Sequence, residues 1–358
     1  MLGIESSCDE TAAAIVDGDL FVRANVVASQ YDLHAEYGGV VPEIASRAHL
    51  ERILPVVRAA LIEAGVGIEQ ISAVAVGIRP GLIGSLLVGS NAAKALAWSR
   101  DLPFYAVDHV AAHLFAGLLH TDMQARAGAF PALGLVVSGG HTSLFRIASP
   151  VACELIGRTI DDAVGEAMDK AANMLGLPHP GGPNLERCAQ FGDAGALRFT
   201  RPQLPNPLDF SLSGLKTKLL YEIRGVPQGR GAHATFTRSA HDLTDSRRAD
   251  LAASFQRGAI AQVIDRLTRA AELHAPRALF VGGGVVSNMT LRRELSAWSL
   301  EREIDLIVPE PRFCVDNAAM IAGHAVLRRA LGDMGDDLST PAEPVSRLAR
   351  GVLPKRVQ

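Results

Sequence analysis

Cysteine is scarce: Cys8, Cys153, Cys188 and Cys314 form neither a CxxC pair nor a dense framework. Their spacing demands no disulfide, so a reducing compartment is expected. Long apolar runs are missing too. The most apolar stretch, Pro80 to Ala93, is Gly-rich and followed by Lys94, well short of the roughly 20 residues that span a bilayer. The start of the chain has no basic segment leading into an apolar signal core. These absences predict a cytoplasmic protein with no membrane association. Neither charge dominates, since 35 basic and 38 acidic residues leave a net charge of -3. That balance excludes a polybasic, histone-like chain while allowing local basic faces. Lysine is nearly absent, with five against 30 arginines spread along the whole length, which reads as compositional bias. Three familiar motifs are also lacking. There is no Walker A GxxxxGK[ST], no GxGxxG opening a βαβ unit and no zincin HExxH.

What is present points to a duplicated α/β protein. A chain of 358 residues is long enough for two domains, each with its own core. Leu2 to Ile4, a polar turn from Ser6 to Glu10, and Thr11 to Val16 read as strand, turn, strand. The pattern returns at Leu133 to Val137, Ser138 to His141 and Thr142 to Ile147, with Gly3 and Thr11 matching Gly134 and Thr142 at an offset of 131 residues. Helical spacing marks 42–64, 85–98, 108–119, 161–175, 251–273 and 317–331, and strands lie between them at 72–76, 104–107, 278–281 and 304–308. Such alternation predicts α/β layers. We place an N-terminal domain at 1–130 and a C-terminal domain with inserted helices at 131–325. A Gly- and Arg-rich segment at 225–248 is expected to be a mobile loop. The tail, 326–358, is expected to pack back on the N-terminal domain or to be disordered.

His109 and His113 stand four apart on an expected helix, so both imidazoles leave one face and can reach one metal ion. Asp316 precedes another helix, and the spacing alone leaves it either a third ligand or a plain helix cap. Ser138-Gly139-Gly140-His141 leaves backbone N–H groups open for a phosphate, and Gly282-Gly283-Gly284 follows a strand at the end where ligands bind. Asp162, Glu166 and Asp169 are spaced to share a helix face near such a cleft. Lys216, a rare lysine near a helix start, is either an anion ligand or a solvated charge.

Taken in order, these segments closely resemble the tRNA threonylcarbamoyladenosine transferases, known in bacteria as TsaD and formerly called O-sialoglycoprotein endopeptidases. The resemblance rests on Gly3 to Thr11, Gly38 to His49, the His109/His113 pair, Ser138 to Thr142 and Asp161 to Lys170. It continues through Pro180 to Pro183, Phe210 to Lys216, Gly283 to Asn288 and Phe313 to Ala322. It implies duplicated RNase-H-like domains of the actin-like, sugar-kinase and Hsp70 ATPase fold, with a nucleotide cleft between them. It further implies transfer of a threonylcarbamoyl group from threonylcarbamoyl-adenylate to N6 of the adenosine 3′ to the anticodon, in tRNAs reading codons that begin with A. By the same resemblance His109, His113 and Asp316 are the ligands of one divalent metal, Fe(2+) or else Zn(2+). Val136, Val137, Ser138, Gly139, Gly140, Asp169, Gly182 and Asn288 hold the adenylate. Glu10, His141, Lys216 and Gly283 are further candidates for the cleft, and no residue is singled out as catalytic base. The expected partners are tRNA, a metal-free TsaB-like paralogue as heterodimer partner and a small TsaE-like ATPase. Arg187, Arg198, Arg201 and the arginines from Arg230 to Arg248 are candidate tRNA contacts.

The chain departs from the family pattern at Ala111, where many relatives carry an acidic residue, and at Arg79, where Gly is usual before Pro-Gly. Val286 to Met289 also differs in character. Two other readings fit the fold: an ATP-dependent small-molecule kinase or ATPase, and a non-catalytic nucleotide-binding scaffold.

Overall fold

The computed structural model describes residues 1–37, 39–120, 128–228 and 235–348. Strands β1 (Leu2–Glu5), β2 (Glu10–Val16), β3 (Val22–Ser29), β4 (Val74–Arg79) and β5 (Phe104–Asp108) make one sheet in the order β3-β2-β1-β4-β5. Strands β6 (Ala132–Val137), β7 (Thr142–Ser149), β8 (Ala152–Arg158), β9 (Ala278–Gly282) and β10 (Asp305–Ile307) make the other, in the order β10-β9-β6-β7-β8. Read from its far edge, the second sheet repeats the first. The hairpins match residue for residue. Leu2, Gly3, Ile4 and Glu5 face Ile15, Ala14, Ala13 and Ala12, while Leu133, Gly134, Leu135 and Val136 face Arg146, Phe145, Leu144 and Ser143. Every pair is displaced by the same 131 positions inferred from the glycines and threonines. In both sheets the first strand also runs parallel to a later one, β1 with β4 and β6 with β9.

The helices are α1 (Tyr31–Ala35), α2 (Pro42–Ala64), α3 (Ile83–Ser99), α4 (His109–Phe115), α5 (Val164–Met174), α6 (Gly181–Ala189), α7 (Ser213–Arg224), α8 (Asp245–His274), α9 (Met289–Glu301) and α10 (Ala318–Ala330). Their ends follow local chemistry. Helix α2 opens on Pro42, whose missing N–H costs nothing in a first turn, and stops at Gly65 with φ 67°. Helix α8 starts where the Thr244 side chain accepts from Arg247 N, so the expected loop at 225–248 already turns helical at Asp245. The heart of that loop, 229–234, lies outside the described residues. Helix α5 begins at Val164, three residues later than its spacing predicts. Asp162 therefore precedes the helix instead of sharing a face with Glu166 and Asp169. The cause is tertiary, because Asp161 is drawn away to accept from Ser211 Oγ (2.5 Å) and Leu212 N (2.8 Å).

Two helices cross between the halves. Helix α4 follows a strand of the first sheet yet packs on β6 and β9 of the second. Helix α10 follows the second sheet yet packs on β1, β2 and β4, and the two helices touch. One apolar cluster therefore runs through both halves, joining Ala12 and Val107 to Phe145, Phe280 and Ala322. The duplicated glycines permit this exchange. A Cβ on Gly3 would strike the Ala318 carbonyl of α10, and one on Gly134 would come within 2.7 Å of Leu114 on α4. Beyond α10 the chain returns along the first sheet, where Asp336 N donates to Phe104 O (2.6 Å) and Glu343 N donates to Ile78 O (3.0 Å). Among the described residues, no helix is long and apolar enough to cross a membrane.

Candidate metal centre and cleft

Crossing of α4 and α10 brings His109, His113 and Asp316 together. His113 Nε2 lies 3.1 Å and His109 Nε2 3.3 Å from the same oxygen, Asp316 Oδ1. The three ligand atoms all fall within 4.8 Å of one another. The helix cap that sequence left as the other role for Asp316 belongs to its neighbour: Asn317 Oδ1 accepts from Met320 N, which frees Asp316 to face the imidazoles. Both histidines are buried, whereas the Asp316 side chain keeps 29% of its surface exposed, so the cluster opens to solvent on that side.

A residue that sequence reasoning missed orients the first histidine. Glu5, fully buried at the end of β1, accepts from His109 Nδ1 at 3.1 Å and from Ser7 N at 2.5 Å. Ser7 Oγ lies 3.3 Å from the same ring nitrogen. An unpartnered buried carboxylate costs several kcal/mol, so Glu5 holds Nδ1 as the donor and turns Nε2 toward Asp316. The one available signal was a lone acid closing an otherwise apolar strand.

Electrostatics agree with a cation site. Burial opposes charge on His109, but Asp316 and Glu5 outweigh it and raise its pKa well above the ordinary value. Burial likewise works against ionised Asp316, yet His109 and His113 hold its carboxyl well below the usual range. For His113 burial wins, helped by the neighbouring charge on His109, and the pKa falls. His113 Nδ1 is buried without a hydrogen-bond partner among the described residues. Two imidazole nitrogens and one carboxylate oxygen converging with an open side fit a transition-metal ion.

Glu10 and His141 border this centre. Burial, then Asp9 and Asp316, pushes the Glu10 carboxyl up to about 9. Burial, then the charges of His109 and His113, lowers His141. The glycine turn between β6 and β7 is closed by Ser138 N donating to His141 O (2.8 Å) and His141 N donating to Ser138 Oγ (3.0 Å). Space beside Gly139 and Gly140 is open, with nothing within 4 Å of where a Cβ would stand. Gly283, at φ 95°, packs so closely on the end of β6 that a Cβ would meet Val137 O at 2.5 Å. Asp169 on α5 is exposed and accepts from Gly182 N at 2.8 Å.

Other candidates are engaged elsewhere. Asn288 caps α9, with Oδ1 accepting from Leu291 N (2.9 Å) and Nδ2 donating to Gln256 Oε1 (3.0 Å). Lys216 pairs with Asp162, so its charge is already met by a carboxylate. Among the arginines, Arg187 donates to Asn184 Oδ1 (2.6 Å) and Arg201 pairs with Asp265 (2.8 Å). Arg248 pairs with Asp245 (2.6 Å), and Arg230 lies outside the described residues. The departure at Arg79 is also accounted for: the side chain is buried and pairs with Glu343 at 3.3 Å.

The fold has solved counterparts. The chain superposes on HypF from T. kodakarensis with a TM-score of 0.56 at 14% identity, covering 79% of this chain and 43% of that longer one. At that identity the likeness speaks for the fold alone. Sequence comparison goes further. A tRNA N6-adenosine threonylcarbamoyltransferase of Symbiobacterium thermophilum is 50% identical over 90% of this chain and 89% of its own. One from Trichlorobacter lovleyi is 46% identical over 98% of both chains. The family model described as tRNA N6-adenosine threonylcarbamoyltransferase matches residues 21–323. A match of that length, with relatives this similar from end to end, means that the chain belongs to the tRNA N6-adenosine threonylcarbamoyltransferase family.

Proposed function

We propose that this chain transfers the threonylcarbamoyl group of threonylcarbamoyl-adenylate to N6 of the adenosine 3′ to the anticodon, in tRNAs reading codons that begin with A. Family membership makes it a transferase that modifies tRNA. The observation that carries the reading is the convergence of His109, His113 and Asp316 on the two exchanged helices. Two imidazoles and a carboxylate with free coordination positions suit iron(II), the ion we assign, and also admit zinc(II). When bound, such an ion supplies Lewis acidity toward an oxygen of the transferred group.

The donor is a mixed anhydride with a good leaving group, so the chemistry needs no covalent nucleophile from the protein. In this reading the open backbone around Ser138, Gly139 and Gly140 receives the phosphate, and its N–H groups meet charge developing on oxygen. Val136 and Val137 bring the turn to the end of the strand. Asp169 and Gly182 meet the ribose, and Asn288 keeps the neighbouring helix start in place. Glu10 and His141 face the transferred group. The walls of the cleft are the two halves, 1–130 and 131–325, and we assign the reaction to the cytoplasm.

Partners belong to the same proposal: a metal-free TsaB-like paralogue and a small TsaE-like ATPase. Leu50 and Leu54 on α2 and Leu87 on α3 are exposed large apolar residues on two helices that pack together. They supply an apolar face for the paralogue. The test is incubation with synthetic threonylcarbamoyl-adenylate, unmodified tRNA and both partners, followed by nucleoside mass spectrometry. Threonylcarbamoyladenosine is expected with the wild type and absent with His109→Ala. If the wild type forms none, the reading fails.

A further inference from the structure

After α10, residues 331–348 strap the first sheet from its β5 edge toward the start of α4. Tyr105 OH donates to Asp333 O (2.8 Å), Lys94 Nζ donates to Thr340 O (2.6 Å), and Gly81 N donates to Pro344 O (3.4 Å). Arg79 pairs with Glu343 on the same strap. At its far end Ser346, only 1% exposed, donates its hydroxyl to Asp108 Oδ2 at 2.7 Å. Asp108 is the cap of α4, and its other oxygen, Oδ1, accepts from Val110 N (3.0 Å) and Ala111 N (3.4 Å).

The two carboxylate oxygens of Asp108 therefore have different duties. One closes the first turn of the helix that carries both imidazoles, and the other is tied to the strap. His109 is the first residue of that helix and His113 lies one turn on. The cap angle consequently sets where both rings point. Helix α4 is only seven residues long, too short to keep its direction without external support. Glu5 orients one ring from the side of β1, and among the described residues nothing comparable meets His113 Nδ1. Direction for the second ring comes from the helix together with Asp316, which stands 3.1 Å from its Nε2.

We propose that Ser346 is a positioning residue for the metal centre, holding Asp108 so that α4 presents His109 and His113 to a common ion. The proposal rests on reading His109, His113 and Asp316 as the ligands. It gives a function to Arg79 as well, because the Arg79–Glu343 pair fixes the strap three residues before Ser346.

The test uses the full chain stripped of metal, with Zn(2+) affinity measured by competition against a chromophoric chelator. Amide exchange at Val110 and Ala111 is followed in the metal-free protein. Ser346→Ala is expected to weaken Zn(2+) about 10-fold, the order seen when a group supporting a ligand is removed, and to speed exchange at both amides. Ser346→Thr, which keeps the hydroxyl, restores both values. Lys94→Ala frees the strap at Thr340 without touching Asp108, so it lowers the melting temperature and leaves Zn(2+) affinity unchanged. Wild-type affinity and exchange in Ser346→Ala would overturn the proposal, as would an equal loss of Zn(2+) affinity in Lys94→Ala. Failure of the wild type to bind stoichiometric Zn(2+) would instead overturn the ligand reading beneath it.

Discussion

Asp316 Oδ1 stands 3.1 Å from His113 Nε2, a residue 203 positions earlier in the chain. With His109 Nε2 at 3.3 Å from the same oxygen, one carboxylate oxygen serves two imidazoles. An ion replacing those contacts would bind all three groups at once. Asp316→Asn is therefore expected to lose stoichiometric metal and to abolish tRNA modification, while far-ultraviolet circular dichroism stays that of the wild type. Elemental analysis of the purified variant checks the first effect and nucleoside mass spectrometry the second. Normal metal content would remove Asp316 from the ligand set.

Glu5 would act on such an ion through His109, whose Nδ1 it holds at 3.1 Å. Glu5→Gln keeps the shape of the side chain but ends the carboxylate's hold on Nδ1. Metal affinity is expected to fall about 10- to 100-fold, with His109 and His113 both intact. Isothermal titration of the metal-stripped variant reads this directly. An unchanged affinity would leave Glu5 as a buried acid serving only the Ser7 turn.

The cleft predicts a separate phenotype. Asp169 is exposed and already accepts from Gly182 N, so its remaining acceptor capacity can take a ribose hydroxyl. A hydrogen bond to a charged group is worth about 1.5–3 kcal/mol. Asp169→Ala is expected to weaken binding of a non-hydrolysable adenylate analogue by at least 10-fold and to leave metal content alone. Loss of metal in this variant would show that Asp169 acts on the centre rather than on the nucleotide.

Acid should destabilise the molecule through His324. Its ring is buried, stacks on Phe115 at 5.2 Å and has Nε2 3.0 Å from Pro150 O. Burial, and then the charge of Arg328, lowers its pKa from 6.5 to about 4. Between those values the unfolded chain takes up a proton that the folded one refuses. Stability from this group therefore decreases as pH falls from 6.5 toward 4 and is flat outside that window, a change of up to about 3 kcal/mol. His324→Gln retains a donor for Pro150 O without titrating. Its melting temperature should drop less between pH 7 and pH 5 than that of the wild type. Equal drops would place the acid sensitivity elsewhere.

Much of this was legible in the residues themselves. The hairpin duplication, the four-residue spacing of His109 and His113 and the open turn at Gly139 and Gly140 are local properties. Periodicity and glycine placement report local properties directly. The start of α5 was misplaced because Asp161 bonds to Ser211 and Leu212, some fifty residues away, and no helical period records that. Lys216 stays open in the sequence between an anion ligand and a solvated charge because its partner Asp162 is brought to it only by packing.

Sequence alone, then, determined the repeated hairpin, the α/β alternation around it and the one helix face able to offer two imidazoles, while the strands Val22–Ser29 and Ala152–Arg158 went unread. Tertiary structure decided which carboxylates join them. Asp316 reaches the pair because α10 and α4 each pack on the opposite half's sheet, and Glu5 because β1 pairs with β4, the neighbour of the strand that leads into α4. Ser346 reaches Asp108, the cap of α4, because the strap returns to the first sheet. Backbone geometry limits what residues a few positions apart can do. Residues two hundred positions apart meet only where burial of apolar surface, here the cluster running from Ala12 to Phe280, pulls distant elements into one core.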